Sequence, residues 1–339
     1  MITWNYSGFK ILFVITGMLA FAAKTNAQLL TGLTGKPDTS FSTYSAYISA
    51  KKQHPGITIA EKAIWPSVMV KENITYSKLG KRLLKSDVFY PQQKTDTLRT
   101  AIIIIHGGGW RSGNRTQHQP LAQQLAALGY VCFTPEYRLS TEALFPAAIY
   151  DLKAAVRWVR DHAEKYQIDT AKIVAAGFSA GGELAAFLAT TGNMPLFEGV
   201  NGMLKTPSHV NALVDIDGTL SFVHAESSER SDTSKRIGAS IYWMGYTQKE
   251  NFTLWQAASP LSYAGKYTPP TLFLNSSVVR MHAGRDDYIK ILNEHNIYSE
   301  VHTFENSPHA FCLFNPWFTT TVNYIDKFLK KVFNPNIER

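Results

Sequence analysis

The pentapeptide GFSAG at residues 177–181 constrains the fold of this chain more than any other feature of its sequence. It follows the apolar run KIVAA and precedes GELAAFL, a pattern that predicts a strand, a sharp turn and a helix. Such a turn needs small residues around the serine because the backbone bends too tightly for larger side chains. The bend raises the Ser179 hydroxyl out of the sheet. Ser179 is therefore a candidate nucleophile, and a helix-capping serine is the alternative interpretation.

The N-terminus has the pattern of an export signal. Lys10 precedes an apolar run over residues 11–23, and TNA at 25–27 supplies small residues before Gln28. The run is shorter than the roughly 20 residues that span a bilayer. We expect residues 1–27 to be a cleaved signal peptide, so that the protein is secreted or periplasmic and has no membrane contact after cleavage.

The chain is long and apolar enough for a large core, with 339 residues of which 45% are hydrophobic. Its net charge of +8 is scattered along the sequence. The densest basic cluster, residues 78–85, alternates with apolar residues, so we expect no nucleic-acid partner. Neither Cys132 nor Cys312 belongs to a group with zinc-ligand spacing, and we expect no metal or other cofactor. A disulfide between these cysteines and the oligomeric state both stay open.

Strand and helix patterns alternate along most of the chain. Residues 68–76 and 81–90 predict an antiparallel hairpin. Further strands are predicted at 100–106, 130–135, 172–176, 210–216, 271–275 and 299–304. Because strands that alternate with helices form parallel sheets covered on both faces, we predict an α/β fold with a mostly parallel sheet and an antiparallel N-terminal hairpin.

The predicted domain organisation is simple. Residues 28–66 lack periodicity and are expected to form an extended N-terminal arm. Residues 67–339 are expected to form one domain. Residues 218–262 interrupt the alternation of strands and helices, and we interpret them as an insertion near the site.

A glycine-rich segment complements the candidate nucleophile. HGGGW at 106–110 follows a continuous β-branched strand, and its glycines leave backbone N–H groups uncovered. We expect the N–H groups of Gly108, Gly109 and Ala180 to bind a negatively charged oxygen. A flexible phosphate-binding loop is the alternative, but no accompanying phosphate-binding motif is present.

A serine nucleophile needs a base and a group that orients the base. SPH at 307–309 follows a late strand, so His309 is the expected base. The loop after residues 271–275 contains no carboxylate. Asp217, at the end of the preceding strand, is the favoured acid, and Asp286 or Asp287 is the alternative.

In order and spacing, several motifs together resemble the α/β-hydrolase superfamily, and more narrowly its hormone-sensitive-lipase-like esterases and the bacterial feruloyl and acetyl carbohydrate esterases. The motifs are HGGGW at 106–110, EYRL at 136–139, FPAA at 145–148 with Asp151, GFSAGG at 177–182 and SPH at 307–309. The resemblance spans roughly residues 68–333. It implies the α/β-hydrolase fold, Ser179 as nucleophile, His309 as base and an oxyanion hole at the three N–H groups named above. It also implies a structural charge network of Glu136, Arg138 and Asp151.

Together with the export signal, this resemblance implies a secreted serine esterase that removes acetyl, or alternatively feruloyl, groups from a plant-type polysaccharide through an acyl-enzyme. Trp110, Arg280 and His282 are the expected substrate-binding residues, and Trp110, Trp243, Trp255 and Trp317 are candidates for stacking on sugar rings. Burial of most of these tryptophans in the core is the alternative. A general short-chain carboxylesterase acting on small-molecule esters is the alternative. A catalytically inactive binding protein is a third interpretation, against which Ser179 and His309 argue.

Overall fold

The computed structural model describes residues 32–192, 194–227 and 237–333. The predicted signal peptide at residues 1–27 lies outside the described residues. Among those that are described, no helix is both long enough and apolar enough to cross a membrane.

A single large sheet forms the centre of the fold. The strands in chain order are β1 Thr58–Ile59, β2 Val68–Leu79, β3 Arg82–Pro91, β4 Arg99–Ile105, β5 Val131–Pro135, β6 Ile168–Phe178, β7 Ala212–Ile216, β8 Thr271–Asn275, β9 Ser299–Thr303 and β10 Phe314–Asn315. Eight of them pair in the order β2-β3-β5-β4-β6-β7-β8-β9. The pairs from β5 to β9 are parallel, whereas β2–β3 and β3–β5 are antiparallel. The predicted parallel sheet with an antiparallel N-terminal hairpin is therefore confirmed.

Helices cover both faces of this sheet. They are α1 Thr43–Lys51, α2 Gln119–Ala127, α3 Ala147–Asp161, α4 Ala163–Tyr166, α5 Ala180–Thr190, α6 Ala239–Met244, α7 Phe252–Ala257, α8 Arg285–Glu294 and α9 Trp317–Phe333. The central strand β4 shows why two layers are needed. Ile103 and Ile105 belong to a core cluster that includes α3 and α5, whereas Ile102 and Ile104 belong to a second cluster with α2 and α9. Burial on both faces is typical of a central parallel strand.

The N-terminal arm departs from the prediction of an extended segment, because Thr43–Lys51 is a helix. The physical reason is a reciprocal cap that the sequence interpretation overlooked. The Ser42 hydroxyl accepts a hydrogen bond from the Ser45 N–H, and the Ser45 hydroxyl accepts one from the Ser42 N–H. Further along the arm, β1 pairs with β10 near the C-terminus.

The segment predicted as an insertion, residues 218–262, contains helices α6 and α7 in its described part. Trp243 and Trp255 of this segment are buried in the core. The start of α6 lies against the glycine-rich loop, since a Cβ built on Gly109 would lie 2.9 Å from the Cβ of Ala239. Part of this segment therefore contacts the predicted site.

The two cysteines are free thiols in the structure. Cys132 lies on β5 and Cys312 lies shortly before β10, and both belong to the core cluster that includes α2 and α9. Burial raises the pKa of both thiols above the usual range. Both side chains therefore behave as small apolar core residues.

Candidate active site

Ser179 lies at the sharp turn between β6 and α5, with φ 57° and ψ −123°. This left-handed backbone is uncommon for a residue with a side chain and is found where the surrounding structure enforces it. Gly181 shows how tight the turn is, because a Cβ at this position would lie 2.1 Å from the carbonyl oxygen of Ile105. Glycine at 181 is therefore required for α5 to approach β4 and for Ser179 to take its position.

The structure brings together three residues that follow three different strands. Ser179 follows β6, Asp217 follows β7, and His309 lies between β9 and β10. The Ser179 hydroxyl donates to Nε2 of His309 at 2.8 Å. The Nδ1–H group of His309 donates to Oδ2 of Asp217 at 2.9 Å. The carboxylate thereby selects the imidazole tautomer whose Nε2 is free to accept the serine proton.

Asp217 is fully buried and has polar contacts on both oxygens. Oδ1 accepts the N–H of Ser276 at 2.8 Å and lies 3.5 Å from Nδ1 of His282. Burial alone would raise the pKa of this carboxyl, but the nearby His282 imidazole and the hydrogen bonds from His309 and Ser276 together lower the pKa to about 2. The Asp217 carboxylate is therefore ionised at neutral pH.

The two alternative acids point elsewhere. Asp286 is paired with Arg285 at 2.8 Å and its side chain is 75% exposed. Asp287 lies 3.5 Å from Nε2 of His224 and is 61% exposed. Both belong to the first turn of α8, whereas the strand end of β7 carries Asp217 directly to His309. The geometry thus joins His309 to Asp217.

The glycine-rich loop lies directly beside the serine. The N–H of Gly107 donates to Oε1 of Gln117 at 2.8 Å, and a Cβ built on Gly107 would lie 3.1 Å from the Cβ of Ser179. Gly108 has a φ of 125°, a backbone conformation that disfavours any other residue. In the described part of the chain, the N–H groups of Gly108, Gly109 and Ala180 have no acceptor. They are available to an oxyanion formed next to Ser179.

Trp110 does not line an exposed surface, which corrects its predicted role in substrate binding. It is buried, and its ring stacks on Trp243 with centroids 4.8 Å apart. Its indole N–H donates to Oε2 of Glu183 at 2.9 Å. Trp243 and Trp255 are also buried, so these tryptophans contribute apolar area to the core. Trp317 is half-buried and lies edge-on to His54.

Glu183 is a residue that the sequence interpretation missed. It is fully buried on the first turn of α5. Its hydrogen bond with Trp110 connects the end of the glycine-rich loop to the helix that begins at Ala180. Burial raises the pKa of Glu183 well above its usual range, the Trp110 hydrogen bond lowers it, and nearby Asp215 raises it further. The sequence pattern that could have identified Glu183 is a single acidic residue in the otherwise apolar helix α5.

The remaining predicted substrate contacts lie on the turn at Val279–His282. Arg280 is exposed. His282 is buried beside Asp217, and this position corrects its assignment as a residue on the substrate surface. The reason is the path of the chain after β8, which folds inward to pack on the buried carboxylate.

Glu136, Arg138 and Asp151 were expected to form one charge network, but they belong to two separate groups of ion pairs. Arg138 binds Asp151 at 2.8 Å. Glu136 binds Arg82 at 3.0 Å and Arg115 at 3.4 Å. Pairing of partly buried charges offsets part of their desolvation cost, which fits a structural role.

A serine hydroxyl bonded to an imidazole that a buried carboxylate orients is suited to attack on a carbonyl carbon. The free N–H groups next to it are suited to the negative oxygen that such an attack creates. Within the described ranges, no group of three or more His, Cys, Asp or Glu side chains is placed to hold a metal ion.

Curated proteins similar to this chain are ester hydrolases. The chain is 29% identical over 271 residues to the probable carboxylic ester hydrolase LipM of Mycobacterium tuberculosis, covering 77% of this chain and 61% of LipM. It is 35% identical over 123 residues to arylacetamide deacetylase of Oryctolagus cuniculus, covering 35% of this chain and 31% of that protein. The chain thus spans about three fifths or less of the length of these relatives.

Solved structures are similar to this chain over most of its length. A truncated carbohydrate esterase from gut microbiota has a TM-score of 0.65 and 25% identity, covering 80% of this chain and 100% of that chain. The Est2 esterase of Thermogutta terrifontis with bound propionate has a TM-score of 0.62 and 27% identity, covering 79% of this chain and 95% of that chain. The BD-FAE family model matches residues 86–286, more than half of the sequence. The chain therefore belongs to the BD-FAE family, a group of serine hydrolases with the α/β-hydrolase fold.

Proposed function

We propose that this protein is a serine esterase that removes acetyl groups from a plant-type polysaccharide through an acyl-enzyme intermediate. The observation that carries the proposal is the chain of hydrogen bonds from Ser179 through His309 to Asp217. The carboxylic ester hydrolases among its relatives support the choice of an ester as the bond that is cleaved.

In the first half of the reaction, Oγ of Ser179 attacks the ester carbonyl carbon while Nε2 of His309 takes the hydroxyl proton. The carbonyl oxygen becomes negative and accepts hydrogen bonds from the free N–H groups of the oxyanion loop and Ala180. The ionised Asp217 stabilises the imidazolium. His309 then gives its proton to the departing sugar oxygen, and the acyl group stays on Ser179.

In the second half, a water molecule takes the place of the sugar alcohol. His309 accepts a proton from this water as its oxygen attacks the acyl carbon. A second oxyanion forms in the same hole and collapses. Acetate leaves, and the proton on His309 returns to Oγ of Ser179, so the enzyme is restored without a cofactor.

Two observations support a carbohydrate ester as the substrate. A solved structure similar over 80% of the chain is a carbohydrate esterase. The pattern of residues 1–27 favours export, which would bring the protein to polymeric substrates outside the cytoplasm. The tryptophans named as stacking platforms give no support, because Trp110, Trp243 and Trp255 are buried.

A general short-chain carboxylesterase is the second candidate. The specific observation in its favour is that a structural neighbour, esterase Est2, has been solved with propionate and with butyrate bound. Such an enzyme would use the same serine, histidine and aspartate but would not distinguish a sugar from another alcohol.

The test compares acetate release from acetylated xylan and pectin with hydrolysis of p-nitrophenyl acetate by the full-length protein. Greater kcat/KM on an acetylated polysaccharide supports the carbohydrate esterase, and activity on p-nitrophenyl esters alone supports the second candidate. Ser179→Ala should abolish both activities. Unchanged hydrolysis by this variant would reject the catalytic assignment, and no hydrolysis by the unmodified protein would favour a binding protein. Mass spectrometry of the exported protein tests for a start at Gln28.

A further inference from the structure

A polar groove lies between the N-terminal arm and the loop that follows the oxyanion glycines. Its volume is about 420 Å³, within the range of about 300–1,000 Å³ that is common for small-molecule sites. The lining side chains used below are Asp38, Thr39, Thr43, Tyr44, Asn114 and Gln117. We propose that this groove is a carbohydrate subsite, which binds sugar units next to the unit that carries the ester. This proposal rests on the proposed function.

The groove presents neutral hydrogen-bonding groups. Asn114 uses Oδ1 to cap the following turn through the N–H of Thr116, and Gln117 uses Oε1 to bind Gly107. The side-chain N–H groups of both amides have no protein acceptor within the described residues. The same holds there for the hydroxyl groups of Thr39 and Thr43. These groups are free to bind a ligand with many hydroxyls.

Charge in the groove selects against ionic ligands. Asp38 supplies the carboxylate of the groove. Arg111 neutralises this carboxylate through an ion pair of 3.1 Å. No unpaired charged side chain is therefore presented among the groove residues that the structure describes. A phosphate or a metal cation would lack a counter-charge there, whereas a neutral sugar needs only hydrogen bonds.

Tyr44 supplies an aromatic surface at this groove. Tyr44 is 65% exposed, so its ring is accessible to a ligand in the groove. The apolar face of a pyranose packs well on an aromatic ring, and the tyrosine hydroxyl can bond a sugar oxygen. Tyr44 can thus stack on a sugar ring, which the buried tryptophans cannot do.

The groove is linked to the candidate nucleophile by two contacts. Gln117 lines the groove and accepts the N–H of Gly107. Gly107 in turn packs against Ser179, because a Cβ built on it would lie 3.1 Å from the serine Cβ. The groove therefore lies two contacts away from Ser179, beside the loop that follows the oxyanion glycines.

The arm that forms one wall is held in place by the body of the protein. The Asp38 N–H donates to the carbonyl oxygen of Arg111 at 3.1 Å, and the N–H groups of Thr34 and Gly35 donate to the Thr141 carbonyl oxygen at 3.1 and 2.8 Å. The Arg111 guanidinium stacks on Tyr242 at 3.9 Å. A wall fixed in advance lowers the entropy cost of binding.

The experiment measures KM of the full-length protein and of Tyr44→Ala for an acetylated xylo-oligosaccharide and for p-nitrophenyl acetate. The expected result is a KM raised about three- to ten-fold for the oligosaccharide and unchanged for the small ester. Tyr267→Ala is the matched control. Tyr267 is 74% exposed and precedes β8, at the end of the sheet opposite to Ser179. Asn114→Asp keeps the capping oxygen, removes the amide donor and should also raise KM.

Equal KM values for Tyr44→Ala and Tyr267→Ala on the oligosaccharide would overturn the subsite while leaving the proposed function intact. If the unmodified protein releases no acetate from the oligosaccharide, the proposed substrate fails and the groove is judged by binding alone. Calorimetry then titrates unacetylated xylo-oligosaccharide into Ser179→Ala with and without Tyr44→Ala. Binding that Tyr44→Ala weakens supports the subsite, and absent or equal binding overturns it.

Discussion

The Nδ1–H of His309 donates to Oδ2 of Asp217 at 2.9 Å, although the two residues are 92 positions apart in the sequence. Asp217 reaches this position through a left-handed backbone, φ 52°, directly after β7. Its other oxygen accepts the N–H of Ser276, the residue that follows β8. The ends of the neighbouring strands β7 and β8 thus fix the Asp217 carboxylate. The loop after β8 supplies the N–H of Ser276 as a hydrogen-bond donor and does not supply the acid itself.

Asp217→Asn should lower kcat for p-nitrophenyl acetate by about three to four orders of magnitude. An amide in place of the carboxylate favours the wrong tautomer of His309 and cannot stabilise the imidazolium. Steady-state kinetics measures the effect, with circular dichroism to show that the variant is folded.

Asp286→Asn and Asp287→Asn are the matched controls for this substitution. Both side chains are exposed and paired away from His309. We expect kcat within about two-fold of the unmodified protein, as is usual for exposed sites. A large loss at either position with none at Asp217→Asn would reject Asp217 as the partner of His309.

Acid stability should report the ionised state of Asp217. Its pKa of about 2 in the folded protein lies below the ordinary value of 3.8. The carboxylate therefore contributes stability that is fully present above about pH 4 and is lost as pH falls through about 2. The free energy of unfolding of the unmodified protein minus that of Asp217→Asn should shrink over this window by about 2 kcal/mol. Urea titrations at several pH values test this, and a constant difference would contradict it.

Glu183→Gln should preserve folding, since burial raises the pKa of Glu183 well above its usual range and glutamine resembles the neutral acid. It also keeps an oxygen for the Trp110 N–H. Glu183→Ala removes this acceptor and leaves a cavity, which should cost about 2–4 kcal/mol in urea unfolding. Equal destabilisation by the two substitutions would indicate a charged carboxylate.

The same residue gives a pH dependence of opposite sign to that of Asp217. Above the ordinary glutamate pKa of 4.5, the unfolded chain ionises Glu183 while the folded protein keeps it protonated. Its contribution to stability therefore falls as pH rises, up to the folded-state pKa. Unfolding measured between about pH 5 and about pH 8 should show a shallower decline for Glu183→Gln than for the unmodified protein.

Gly181→Ala should destabilise the protein by about 3 kcal/mol or more and remove activity, because the added methyl would collide with backbone on β4. Its Cβ would lie 2.1 Å from the Ile105 carbonyl oxygen, and backbone atoms do not move aside cheaply. Gly265→Ala is the control, since nothing lies within 4 Å of a Cβ there. Thermal unfolding of the two variants measures the contrast, and similar melting temperatures would argue against a tight turn at Ser179.

The sequence by itself was enough for features that depend on neighbouring residues. The strand, turn and helix around Ser179 follow from small residues between two apolar runs, and the HGGGW loop follows from glycine backbone freedom. The mostly parallel arrangement of the sheet follows from the alternation of strands with helices. The prediction of an extended arm was wrong at Thr43–Lys51, where a reciprocal serine cap starts a helix in a segment without apolar periodicity.

Only the tertiary structure decided between Asp217, the acid that the sequence favoured, and its alternatives. Asp217, Asp286 and Asp287 all lie in suitable chain order, and the side-by-side pairing of β7 and β8 brings the first of them to His309. Packing also buried Trp110 and His282, which sequence alone had placed on the substrate surface. Burial and long-range pairing depend on how distant segments meet in three dimensions, and a linear pattern does not contain that information.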